Sequence, residues 1–182
     1  GGAMYNTDSA NAFVKNCIIY GNTAPFANNI LNNLSKIAVS NSLVEGGFSG
    51  TGNIDLNPNF TNPQLASAAP TTLGDYRLQA CSPAVNAGDS TLLPIGTTHD
   101  LDSNARIRFT NVDMGAYEMQ AVDYNNTTWR GFNTNWDSVI NWCGGYIPTD
   151  STNVIIPTGV TNYPVISSNA FTKNILLANN TS

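Results

Sequence analysis

The chain has 182 residues, carries a formal net charge of −5, and only 10% of its residues are charged. Its polar surface must therefore come from Asn, Ser and Thr, which compete with the helical backbone and suit strands and turns. The acidic balance argues against a nucleic-acid partner. The single histidine, His99, excludes a histidine-rich metal centre, and no apolar run reaches the roughly 20 residues of a transmembrane helix.

Residues 1–54 carry an internal repeat. Val14-Lys15-Asn16-Cys17-Ile18-Ile19-Tyr20-Gly21 matches Val39-Ser40-Asn41-Ser42-Leu43-Val44-Glu45-Gly46 at an offset of 25 residues, and Ala3-Met4-Tyr5-Asn6 matches Asn29-Ile30-Leu31-Asn32 at an offset of 26. Periods of this length mark solenoids, whose units bury their apolar face only by stacking on one another. Gly21 and Gly46 fall where a coil must bend and a positive φ is needed. Asn16 and Asn41, one coil apart, are positioned for a side-chain amide ladder. Residues 55–74, interrupted by Pro58, Pro63 and Pro70, read as a loop.

Residues 75–118 form the segment that closes the solenoid. Within it Asp100-Leu101-Asp102-Ser103-Asn104 places oxygen ligands at alternate positions, so Asp100, Asp102 and Asn104 are a candidate calcium site, calcium being the one cofactor to weigh. The sixth and twelfth positions hold Ala105 and Asn111, which excludes an EF-hand. The plainer reading is an Asx turn whose acids pair with Arg106 or Arg108. Asp100, Asp102, Asp113 and Glu118 also invite comparison with a glycosidase carboxylate pair. The run from Val112 to Met119 looks like a strand, however, and its acids read as structural, so no catalytic or cofactor-binding residue is assigned. Cys17 reads as a small buried apolar residue. A Cys81–Cys143 bridge is the less favoured use of the other two cysteines, and the spacing leaves it open.

Residues 120–127 read as a linker. Beyond them Trp129, Trp136 and Trp142, the only tryptophans, fall within 14 residues. Exposed indoles would suit carbohydrate binding; the plainer alternative is that they fill the core of a β domain short of aliphatics. Residues 153–156, 163–167 and 173–178 read as short strands. Gly1 leads straight into a patterned segment and the pattern is still running at Ala178, so the sequence reads as a piece of a longer protein.

Gly1-Gly2-Ala3-Met4-Tyr5-Asn6 followed by Val14–Asn22 resembles the coils of right-handed parallel β-helix proteins. Gly52-Asn53-Ile54-Asp55-Leu56-Asn57-Pro58-Asn59-Phe60 and the run Asp75-Tyr76-Arg77-Leu78, Ser82-Pro83-Ala84-Val85-Asn86-Ala87-Gly88, Asp100-Leu101-Asp102, Val112-Asp113-Met114-Gly115-Ala116-Tyr117-Glu118 resemble the end of such helices in bacterial surface proteins of the choice-of-anchor Q type. Cys81 and Ala105 depart from that pattern, which has Gly and Pro there. Trp129-Arg130-Gly131, Asn135-Trp136, Asn141-Trp142, Pro148-Thr149-Asp150 and Asn153–Pro157 resemble a module of surface proteins secreted by the type IX route.

The expected architecture is therefore all-β: the C-terminal end of a right-handed parallel β-helix over residues 1–119, then part of a second β-rich domain over 128–182. The resemblance implies an extracellular, cell-surface location and a non-enzymatic structural or adhesive role, with glycans, other surface components and the secretion machinery as partners and no membrane-spanning segment. It also implies O-glycosylation at Asp-Ser/Thr-small or apolar tripeptides, which here present Ser9, Ser90, Ser138 and Ser151. The alternatives are a polysaccharide lyase or glycoside hydrolase with its active site in coils upstream, and a carbohydrate-binding module built on the tryptophans.

Overall fold

The structure is a computed structural model that describes residues 1–178; the last four residues of the 128–182 stretch lie outside it. The described chain is all-β, its only helical turns being short 3-10 segments at 66–68, 90–92 and 139–141. It divides into two compact units, Gly1–Gln120 and Ala121–Ser182.

In the first unit, one coil comprises β1 (Met4–Asn6), β2 (Asn11–Lys15) and β3 (Ile18–Ile19), and the next comprises β4 (Ile30–Asn32), β5 (Lys36–Ser40) and β6 (Leu43–Val44). Each strand pairs in parallel with its counterpart one coil on: Met4 with Ile30, Val14 with Val39, Ile18 with Leu43. These registers reproduce the two sequence offsets, because a parallel stack holds each repeat residue above its own copy. A bridge from Leu43 to Ile54 begins the following turn. This is a parallel β-solenoid.

The corners explain why Asn recurs. Asn16 and Asn41 both adopt a left-handed conformation, with φ of 52° and 46°, a region that Asn tolerates better than other residues carrying a Cβ. They do not form the expected ladder. Asn16 instead clamps the closing segment, its Nδ2 donating to the Asp89 carbonyl at 2.9 Å and its Oδ1 accepting from the Asp89 N–H at 2.8 Å. The amide ladder of this unit lies one strand earlier, where Asn6 Nδ2 donates to Asn32 Oδ1 at 2.7 Å.

The stretch expected to be a loop contains β7 (Phe60–Asn62), antiparallel to β8 (Asp75–Leu78). The four residues between Pro58 and Pro63 are too few to show a period. Conversely, Val112–Met119 is no strand; it is irregular, with bends at 114–116 and Gly115 at φ 101°. The core gathers Leu43, Leu78, Ala84, Val85 and Met114, flanked by Ile18, Ile54 and Phe60. Gly88 lets the closing segment approach, since a Cβ there would stand 2.7 Å from the Val112 side chain.

The second unit contains a parallel sheet of β9 (Asn126–Thr128), β10 (Asn153–Ile156) and β11 (Asn174–Leu177), with β10 in the centre. Asn126 and Thr127, read as linker, belong to β9. Of the other strands expected, 153–156 and 174–177 form, whereas 163–167 supplies only a bridge from Val165 to Asn135.

Leu43 is fully buried at the centre of the first core. Leu43→Ala should cost about 2–5 kcal/mol through lost transfer energy and the cavity left behind, read as a lower urea midpoint for the first unit; an unchanged midpoint would contradict the stacking described.

Candidate functional site

The densest polar constellation is the closing segment. Arg106 is buried, and its Nη1 donates to Glu118 Oε2 at 2.8 Å while Nη2 donates to the Asp113 and Gly115 carbonyls at 3.1 and 2.7 Å. Glu118 Oε2 also accepts from the Asp113 N–H and Oε1 from the Arg108 N–H. Asp113 is fully buried; its two oxygens accept from the Asn86 and Met119 N–H groups, each at 2.7 Å. Three side chains thus satisfy part of the backbone of a segment that has no strand of its own, and backbone bonds such as Met114 N–H to the Ala84 carbonyl and Leu101 N–H to the Ala116 carbonyl complete it, as buried backbone groups require.

Burial pushes the Asp113 carboxyl up to about 6, against the Asn86 and Met119 N–H groups and the Arg106 charge. Burial, then the neighbouring Asp113, pushes Glu118 up to about 7, against the backbone donors and Arg106. Raised carboxyls can serve as general acids, but these two are 0% and 5% exposed and face the protein's own backbone. As arranged, they hold the segment rather than meet a substrate.

The candidate calcium residues are also engaged by the protein. Asp100 Oδ1 accepts from the Asp102 and Asn104 N–H groups, and Oδ2 from the Glu118 N–H. Burial raises the Asp100 pKa, but these donors outweigh it and leave the carboxyl below its ordinary value. Asp102 takes a two-pronged ion pair from Arg77, at 2.6 and 2.7 Å. Its partner is thus Arg77, not Arg106 or Arg108, and a guanidinium stands where a cation would bind. Among the described residues no group of three or more His, Cys, Asp or Glu side chains could hold a metal. Asp100 therefore acts as the Asx-turn residue, and Asn104 donates to it.

The tryptophans are core. Trp129, Trp136 and Trp142 are each 2% exposed or less, with edge-to-face centroid separations of 4.8 Å from Trp142 to each of the others. No indole face is offered to a sugar, so the carbohydrate-binding reading of these residues fails on burial. Asn141, fully buried, ties the cluster's loops together: its Nδ2 donates to Asn133 Oδ1 and the Asn135 carbonyl, and its Oδ1 accepts from the Asn133 N–H. The Asn135-Trp136 and Asn141-Trp142 pairs are the sequence signal for this role, one that composition alone does not decode.

Of the serines, Ser9 and Ser151 are exposed. Ser90 Oγ accepts from the Val112 N–H at 3.0 Å, and Ser138 Oγ accepts from Asn133 Nδ2. Cys17 is a free, half-buried thiol. The first unit also has an apolar cleft of about 200 Å³ between Ile18, Phe60, Tyr76, Leu78, Met114 and Tyr117. No described helix is long and apolar enough to cross a membrane. No family model, curated protein or solved structure matches the chain.

Removing the Arg106 guanidinium would strand Glu118 without its cation. Arg106→Met should destabilise the first unit by about 3–5 kcal/mol. Arg106→Lys, which keeps the charge but loses the fork, should fall between it and the parent; denaturant titration decides, and a neutral Arg106→Met would remove the hub from the account.

Asp113 and Glu118 hold protons more tightly folded than unfolded. Their linked stabilisation is complete below the ordinary carboxylate range and lost as pH rises through about 6 to 7. The half-buried acids Asp75, Asp89 and Asp100, whose pKa values are lowered by donors from Arg77, from Thr91, and (against burial) from the Glu118, Asn104 and Asp102 N–H groups respectively, oppose this only at lower pH. The first unit's urea midpoint should therefore rise as pH falls from about 8 to 5, and a falling midpoint would contradict the assignment.

Proposed function

We propose that this chain is a structural and adhesive module of a large secreted bacterial cell-surface protein. Residues 1–119 are the last coils and closing segment of a right-handed β-helix of the choice-of-anchor Q type, and residues 128–182 begin the tryptophan-rich module of type IX-secreted proteins. The observation that carries this reading is how the closing segment uses its polar residues. Asp100, Arg106, Asp113 and Glu118, which include the motif residues behind the resemblance, bond to one another and to backbone groups. A motif built from such contacts is one for terminating a stack, and a stacked solenoid supplies a rigid surface for display. Outward-facing Tyr5 and Phe13, 57% and 65% exposed, give the coil strands aromatic contact groups, and surface glycans or neighbouring surface components are the partners that fit. The module needs no cofactor for this role.

The test is peptide-level mass spectrometry of the protein from its native host, with protease treatment of intact cells. Loss of the protein to external protease, with hexose on peptides containing Ser9 and Ser151, is the expected outcome. Ser90 and Ser138, whose hydroxyls are engaged in the fold, should be modified less. A protease-protected, unmodified intracellular protein would overturn the proposal.

A further inference from the structure

The stack skips a strand after its second coil. Residues 45–53 carry the chain from β6 straight back to Ile54, which pairs in parallel with Leu43. No strand is laid on the far side of β4, whose only strand neighbour among the described residues is β1. A cleft of about 410 Å³ opens between residues 27–30 and residues 44–48. That volume lies in the range of small-molecule sites, roughly 300–1,000 Å³.

The walls of the cleft are fixed by the fold. Asn53 Nδ2 donates to the Val39 and Phe48 carbonyls at 3.0 and 3.1 Å, and the Gly46 N–H donates to Asp55 Oδ1 at 3.0 Å. Asn29 joins the two walls, its Nδ2 donating to the Glu45 carbonyl at 2.8 Å. Gly46 and Gly47 turn the rim in the left-handed region, with φ of 80° and 76°, and bring no side chain into the opening. Ile30, Val44 and Phe48 are the apolar part of the lining.

Two polar side chains of the lining are only half used. Glu45 Oε2 accepts from the Gly21 N–H at 2.9 Å, while Oε1 has no partner among the described residues. Asn28 Oδ1 accepts from the Ala24 N–H at 3.3 Å, while Nδ2 has no partner among them. The cleft thus keeps one carboxylate acceptor and one amide donor. A second carboxylate stands at the rim, Asp55 Oδ2 lying 3.8 Å from the place of a Cβ on Gly47, and no Lys or Arg lines the cleft. Hydroxyls both donate and accept, so a polyol can serve both free groups, and the C–H face of a sugar ring suits the Phe48 ring. An ammonium would leave the Asn28 donor unserved, and an anion would meet two carboxylates.

We propose that this cleft binds a neutral sugar ring, Glu45 accepting from one hydroxyl and Asn28 donating to another. The site is separate from the exposed Tyr5 and Phe13, and it rests on the adhesive reading only for the source of the sugar.

The probes are the methyl pyranosides of glucose, galactose and mannose, each with its 6-carboxylate counterpart. They are titrated into the isotope-labelled whole chain and followed by amide NMR. Saturable shifts at Ile30 and Gly46–Phe48 are expected with at least one neutral sugar, and its carboxylate counterpart should bind at least fivefold more weakly. Glu45→Gln keeps an acceptor for Gly21 but turns the free acceptor into a donor. Asn28→Asp keeps an acceptor for Ala24 but removes the free donor. Each should weaken binding about fivefold or more, the loss of one hydrogen bond, with the Leu43 and Val44 amides unmoved as the sign of intact coils. If a variant disturbs the coils, the comparison of neutral and charged sugars on the parent chain decides. Absence of saturable shifts at the cleft with all three sugars would overturn the proposal. So would charged sugars binding as tightly as neutral ones, or intact variants binding as tightly as the parent. Shifts at Tyr5 and Phe13 in place of the cleft would overturn this site and leave the adhesive reading standing; an intracellular protein whose cleft still binds sugar would do the reverse.

Discussion

The first unit depends on one buried cation. Its coils are held by parallel ladders, but the segment that ends them has no strand between Leu78 and Gln120 and must find partners for its backbone elsewhere. Some are backbone groups of neighbouring turns, as at Met114 and Leu101; Arg106 supplies others by reaching two carbonyls and Glu118 at once, and Glu118 and Asp113 between them take four N–H groups. A guanidinium suits this because its donors are fixed in a plane and its charge survives burial. Burying ions has a desolvation cost, which shows in the raised carboxyl pKa values, and excellent hydrogen bonding is what makes such a group tolerable. The coil corner also contributes. Asn16 holds Asp89 through its amide and Gly115 through its carbonyl, so repeat and closure are joined at a left-handed residue.

The second unit solves a different problem with amides and indoles. With few aliphatics, it packs three tryptophans against Val154 and Ile156, and two of the indole N–H groups find carbonyls, Trp129 at Asn162 and Trp142 at Trp136. Asn residues serve twice here, as ladder rungs on the strands at Asn126, Asn153 and Asn174 and as loop ties at Asn141. In both units Asn does what charged residues do elsewhere, satisfying buried polar groups without a net charge to desolvate. That accounts for a chain so poor in charge.

Much of the architecture is legible in the sequence because solenoid stacking copies sequence period into register: offsets of 25 and 26 become Val14 over Val39 and Met4 over Ile30. What stays hidden is the assignment of individual polar side chains. Asn16 and Asn41 recur because both turn left-handed corners, and a one-dimensional match cannot separate that from a ladder. The ladder at Asn6 and Asn32 lies in the weaker of the two alignments. Sequence proximity points Asp102 to a near neighbour, yet it pairs with Arg77, 25 residues earlier. The segment Val112–Met119 has strand-like composition, yet carboxylates take N–H groups at both its ends. The tryptophans could be exposed or buried on composition alone, and only packing distinguishes the two.

The central claim is that carboxylates, not a β ladder, hold the closing segment. Native-state hydrogen exchange of the whole chain tests it most directly. The Asn86, Asp113 and Met119 amides, which donate to Asp113 or Glu118, should exchange as slowly as Leu43 and Val44 in the stacked strands, and together with them as denaturant is added. Exchange of these three amides at the rate of exposed loop residues, with the strand amides still protected, would contradict it.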